Sequence, residues 1–212
     1  MTVKNHSADR QPSQSDTPVS TSVRAVVGIG ASAGGLKALR AFFATVPADS
    51  GLAYAVVVHL PPSGESHLAS LLQPHAGIPI EQVTDMTRLE PNRAYVIPPG
   101  RNLNSIDSHL RLTPIETEHR APIDHFFRTL ASTFDGSSIG VILSGTGADG
   151  AEGVRNIREQ GGLVLVQDPR EAEYDGMPRH AIDTGLVDIV APVADILGHI
   201  LAFVRTHPRV PP

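Results

Sequence analysis

Short apolar runs alternate with segments of helical period along most of the chain. "RAVVGI" leads into "GGLKALRAFFATV", "LAYAVVV" into "ESHLASLLQ" and "SIGVILS" into "DGAEGVRNIREQ"; "LVLVQ" and "LVDIV" follow, before "ADILGHILAFVRT". The runs are nearly continuous in Val, Ile, Leu and Ala instead of alternating with polar residues, the pattern of strands buried on both faces. Strand and helix in repetition predict an α/β, doubly wound fold with a mostly parallel sheet and helices on both faces. The stretch "NRAYVIPPGRNLNSIDSHLRLTP" breaks that rhythm. Its short strand-like pieces flank Asp107-Ser108 and predict an antiparallel hairpin on the sheet's edge. "APIDHFFRTLA" predicts a helix with Pro122 in its first turn and Phe126, Phe127 and Leu130 on its core face; Asp124 then reads as a first-turn residue favoured by the helix dipole.

Composition sets the ends of the folded region and narrows the chemistry. Residues 1–22 are polar and hold too few apolar side chains to offset the entropy of ordering, which predicts a disordered tail. Residues 23–206 read as one domain, and the proline-rich residues 207–212 as a frayed C-terminus. With 22 acidic and 17 basic residues the net charge is -5, and no block of like charge suggests a nucleic-acid or membrane-surface partner. The absence of cysteine removes disulfides, thiol catalysis and thiolate zinc sites, leaving serine as the natural nucleophile. The histidines lack metal-ligand spacing, so no metal is expected. No run reaches the roughly 20 apolar residues of a membrane span, and the first residues lack the apolar core of a secretory signal. A cytoplasmic protein is the expectation.

Chemistry concentrates at two glycine-rich turns that follow strands, "GIGASAGG" and "SGTGADG". The first fits two patterns. Read as Gly28-x-Gly30-x-x-Ala33 it is a dinucleotide-binding turn; read as Gly30-x-Ser32-x-Gly34 it is a nucleophile elbow. A dinucleotide site needs a carboxylate at the tip of the next strand, about 20 residues on, to hold the ribose. His59 stands there instead. An elbow needs a base and an orienting acid from other strand ends, and His59 and Asp149 both qualify. Each residue has an ordinary alternative: a serine or aspartate at such a turn also caps a helix, and a histidine after a strand also serves as a surface residue. Their joint placement at three strand ends favours a catalytic set with no cofactor. Asp188 and His199 would supply the acid-then-base order of α/β-hydrolases, but they sit in a strand and a helix, away from glycine turns.

The blocks "VGIGASAGG", "VVVHLPP", "NRAYVIPPG", "APIDHFFRTLA", "GVILSGTGADGAEG", "VQDPREAEYDGMPRHAI" and "GLVDIV" together resemble the catalytic domain of the chemotaxis protein-glutamate methylesterase family, in order and in spacing. The resemblance runs from about Arg24 to about Phe203. It implies a serine hydrolase that demethylates glutamate γ-methyl esters on chemoreceptor cytoplasmic domains, releasing methanol, and in many members deamidates receptor glutamines. It places the nucleophile on Ser32, the base on His59 and the acid on Asp149. It also puts an oxyanion-hole amide at Thr146, with the Ala33 amide as a physically reasonable second, and sets Met177 near the cleft. Three positions depart from the common family pattern: Ala33 where Thr is frequent, Val58 where Gln is, and Thr146 where Met is. The usual receiver domain has no counterpart here, so the chain reads as a catalytic module alone. Two alternatives stay open on sequence: a related hydrolase acting on another ester or amide in non-chemotactic signalling, and an inactive adaptor.

Overall fold

Strands rich in Val, Ile and Ala stack here because helices cover both sides of the sheet they form. The computed structural model describes residues 23–60, 64–115 and 121–207. Residues 1–22, expected as a disordered tail, and 208–212, all but the first residue of the expected frayed end, lie outside the described residues. The chain runs β1 (Val26–Ala31), α1 (Gly35–Phe43), β2 (Ala53–Val58), α2 (Leu68–Leu72), a 3₁₀ turn (Gln73–His75), β3 (Ile80–Gln82), β4 (Thr87–Arg88), β5 (Arg93–Val96), β6 (Arg101–Ile106), β7 (His109–Pro114), α3 (Pro122–Thr133), β8 (Ser138–Ile142), α4 (Ala151–Glu159), β9 (Leu163–Gln167), α5 (Gly176–Asp183), β10 (Ile189–Ala191) and α6 (Val193–Thr206).

Seven strands make one sheet in the order β10-β9-β8-β1-β2-β5-β3, and every neighbouring pair is parallel. Alternate side chains divide between two cores. Val27 and Ile29 join α1, α2 and α6 on one face; Val26 joins α3, α4 and α5 on the other. The chain leaves β1 towards β2 and later returns to β8 on the opposite flank of β1. Winding therefore reverses at β1, and such a reversal opens a crevice at the strands' carboxyl ends.

The residues of β1 that face α3 are Val26, Gly28 and Gly30, and the two glycines bring the helix close. A Cβ on Gly28 would lie 2.8 Å from Leu130 Cδ2, and one on Gly30 would lie 2.5 Å from Ile123 Cγ2. The G-x-G signal in "VGIG" thus answers to helix–sheet packing. On the helix, Phe126, Phe127 and Leu130 are fully buried as their spacing predicts, each contributing about 1.5–3 kcal/mol of burial.

The hairpin turns at Asp107-Ser108 as expected, but it does not extend the main sheet. Strands β6 and β7 join β4 in a separate antiparallel three-stranded sheet, while the edges of the main sheet are β3 and β10. Two forces hold this small sheet against α3. Leu103 and Leu110 enter the α3-side core, and the backbone of Ser105 bonds Thr129 Oγ1 at 3.1 Å and Thr133 Oγ1 at 2.8 Å. Part of the same stretch, Arg93–Val96, is instead a parallel partner of β2, a distinction that short apolar runs do not carry.

Candidate active site

The turn after β1 is a strand-to-helix elbow built on its neighbours' backbone. Ser32 N–H donates to Ser144 O at 3.0 Å, and Gly35 N–H returns to Ser32 O at 2.9 Å. Gly34 takes the left-handed conformation that starts α1, with φ +70°, which glycine adopts without strain. The serine side chain is thereby held out at the end of β1, between the ends of β2 and β8.

Two further residues converge on it. His59, which follows β2, brings Nδ1 to 3.0 Å from Ser32 Oγ. Its Nε2 lies 2.7 Å from Asp149 Oδ2 in the turn after β8. With Nε2–H donated to the carboxylate, Nδ1 is the bare nitrogen that accepts from the serine hydroxyl. The ring is used in the opposite sense from the familiar triad, where Nε2 faces the serine, yet the chemistry is equivalent. Fractional exposure falls along the chain of contacts, from 35% for the His59 side chain to 7% for that of Asp149. The carboxylate is sealed in, and the imidazole meets solvent.

Asp149 is oriented by more than His59. Its Oδ2 also accepts Ile123 N–H at 3.1 Å, and its Oδ1 accepts Asp124 N–H at 2.9 Å. These are first-turn amides of α3, so the helix's partial positive end faces the carboxylate. The close approach of α3 to Gly28 and Gly30 sets those amides there. Asp124 does lie in the first turn of α3, as expected, but its side chain reaches across to α4. Asp124 Oδ1 accepts Gly150 N–H at 2.9 Å and Gly153 N–H at 2.6 Å. Burial pushes this carboxyl up to about 6, opposed by the Gly153 and Gly150 amides and reinforced by the neighbouring Asp149 charge.

The remaining expected residues surround this set. Because Ser32 N–H is spent on Ser144, an oxyanion at the site would need other donors. The Ala33 and Thr146 amides donate to no acceptor among the described residues. Met177 is fully buried, and a Cβ on Gly145 would meet its Sδ at 2.1 Å. It therefore supports Gly145 from behind, and with no exposed surface it cannot line the cleft. Sequence reasoning missed Ser144, whose hydroxyl donates to Ala33 O at 2.9 Å and accepts Tyr174 N–H at 3.0 Å. Its amide donates to Gln167 Oε1 at 2.8 Å. It ties the elbow, β9 and the segment before α5 together, and its place in "LSGTG" gave no sign of that. Asp188 pairs with Arg158 at 2.9 Å and accepts Val164 N–H at 2.9 Å, a clamp on β9, and His199 is exposed on α6. Among the described residues no group of three or more His, Asp or Glu is placed to hold a metal ion, and no helix is long and apolar enough to cross a membrane.

Comparison with known proteins gives this geometry a context. A family model described as CheB methylesterase matches residues 27–200. A protein-glutamate methylesterase/protein-glutamine glutaminase of Moorella thermoacetica is 36% identical over 186 residues, covering 84% of this chain and 44% of that protein. An uncharacterized 104.1 kDa protein of Rhodobacter capsulatus is 38% identical over 144 residues, covering 68% of this chain but 15% of its own length. The chain thus spans less than half of either relative. The crystal structure of the Thermotoga maritima CheB methylesterase catalytic domain superposes with a TM-score of 0.77 at 25% identity, covering 84% of this chain and 97% of that one.

Proposed function

This chain belongs to the CheB methylesterase family, and on that premise we propose that it is a protein-glutamate methylesterase with Ser32, His59 and Asp149 as its triad. The observation that carries the reading is the unbroken chain of contacts from Ser32 Oγ through both nitrogens of His59 to Asp149, at the ends of three adjacent parallel strands. Ser32 attacks the γ-ester carbonyl of a methylated glutamate while His59 Nδ1 takes the hydroxyl proton. Asp149 stabilises the imidazolium through Nε2–H. The amides of Ala33 and Thr146 receive the oxyanion, each such donor being worth about 2.7–4 kcal/mol. Collapse of the tetrahedral intermediate breaks the bond to the methoxy oxygen, which leaves as methanol with the proton from Nδ1. Water, deprotonated by the same nitrogen, then splits the glutamyl-serine ester and frees the glutamate carboxylate and Ser32. A glutamine side chain enters the same sequence with ammonia as the leaving group, so deamidation needs no further residue.

The substrate on this reading is a methylated chemoreceptor cytoplasmic domain, met by a protein working in the cytoplasm. The test is methanol release from methylated receptor by the wild type and by Ser32→Ala. Release by the wild type with loss of at least about 10³-fold in the variant is expected. Equal release would remove Ser32 as the nucleophile. Cleavage of p-nitrophenyl acetate without any methanol from receptor would keep the triad and overturn the substrate.

A further inference from the structure

Asp124 is a half-buried carboxyl that the chemistry above leaves unused. It and Asp149 exchange hydrogen bonds in a closed ring. The Asp149 carboxylate receives the amides of Ile123 and Asp124 at 3.1 and 2.9 Å, and the Asp124 carboxylate receives those of Gly150 and Gly153 at 2.9 and 2.6 Å. Each aspartate caps the helix that starts beside the other. Ala121 and Gly150, the N-cap residues of α3 and α4, supply no side-chain cap of their own.

We propose that Asp124 is the positioning residue of the triad acid: by gripping the amide of Gly150, next in the chain after Asp149, it fixes the backbone from which the Asp149 carboxylate reaches His59. The inference rests on the reading of Asp149 as that acid. One oxygen of Asp149 serves both His59 Nε2 at 2.7 Å and Ile123 N–H at 3.1 Å, so a small rotation of the carboxylate that favours one partner loses the other. The grip on Gly150 removes that freedom. Position 150 can hold no capping side chain of its own, because Gly150 has φ +98° and a Cβ there would lie 2.4 Å from Ile142 Cδ1; the amides of Gly150 and Gly153 are therefore served by Asp124, although this sets a second carboxyl beside the first and burial drives it up to about 6. Among the described residues, the groups acting on Asp124 from the packed elements are the Asp149 carboxyl and the Gly150 and Gly153 amides.

The test compares Asp124→Ala and Asp124→Asn with the wild type by kinetics and by proton NMR of the downfield Nε2–H resonance of His59, whose position reports its hydrogen bond to Asp149. In Asp124→Ala the resonance should move upfield or vanish, and kcat should fall by about tenfold or more with KM held within about twofold. Circular dichroism should show the fold retained. Asp124→Asn keeps an oxygen to accept both amides, so it should restore the resonance and bring kcat within about threefold of wild type. Wild-type kcat and an unmoved resonance in a folded Asp124→Ala would overturn the proposal. So would an Asp124→Asn as slow as Asp124→Ala with its resonance intact, because charge and not grip would then be at work. The resonance is read without substrate. A wild type that releases no methanol from receptor, yet loses the resonance on Asp124→Ala, would refute the methylesterase reading and leave the positioning role standing.

Discussion

Replacing Gly145 by alanine isolates the packing behind Ser32. The added Cβ would lie 2.1 Å from Met177 Sδ and 2.9 Å from Ser32 Cβ. Contacts between such atoms are comfortable at about 3.5–4.0 Å, so the first overlap is about 1.5 Å deep and the second about 0.6 Å. Gly145 does not have a positive φ, so the effect is steric and not a matter of backbone strain. Met177 is flexible but fully buried, and overpacking of this kind costs about 1–3 kcal/mol, a fall in Tm of roughly 2–12 °C for a chain of this size. Activity should suffer more than stability. Ser32 is pressed directly, its hydroxyl must stay 3.0 Å from His59 Nδ1, and a displacement of about 1 Å can cost on the order of 100-fold. Hydrolysis of p-nitrophenyl acetate and thermal melting read the two effects. Adding Met177→Ala removes the deeper overlap, so the two changes should couple favourably in stability by about 1 kcal/mol or more, while the Ser32 contact persists and kcat stays low. A Gly145→Ala variant with wild-type Tm and kcat within about twofold of wild type would refute this account of the turn.

Further outcomes follow from the hydrogen bonds around Asp149. Asp149→Asn must aim its NH₂ either at the Asp124 amide or at both His59 Nε2 and the Ile123 amide, the donors its two oxygens now serve; either way the imidazolium loses its anion, and in the second orientation the proton is forced onto Nδ1 and no base is left for Ser32, so kcat should drop by ~10⁴-fold, and a loss below about tenfold would place the orienting group elsewhere. Asp124 carries a carboxyl raised in the folded state to about 6, so folding binds a proton more tightly than the unfolded chain between about pH 4 and pH 6, and this group's contribution to stability declines as pH rises through that window. Asp124→Asn lacks the decline, and its Tm relative to wild type should improve from pH 4.5 to pH 7.5; a constant difference across that range would show that the Asp124 carboxyl does not titrate there.

Some features were legible in the residues because they depend on nearby sequence. Continuous apolar runs between helical segments specify parallel strands buried on both faces, and glycine turns after "RAVVGI" and "SIGVIL" mark strand ends where polar chemistry can gather. A histidine at the tip of the next strand, in place of a carboxylate, set the elbow against the dinucleotide turn. Ser32, His59 and Asp149 could therefore be named together, and the blocks resembling a known family pointed to the activity proposed for them.

Tertiary structure decided what depends on partners distant in the chain. Sequence gave Asp124 a place at the dipole of its own helix; only the packing of α3 on α4 turned its carboxylate to Gly150 and Gly153, 26 and 29 residues on. Ser144 joins the elbow to a segment 30 residues away, and no local pattern announces such a bond. Met177 passed from cleft to core for a similar reason, since its side chain packs against Gly145, distant in the chain, where an added Cβ would meet its sulfur. The hairpin's turn was fixed by Asp107-Ser108, but its sheet was fixed by where Leu103 and Leu110 could be buried. Periodicity says which side chains leave water; the shape of the crowded interior decides which of them meet.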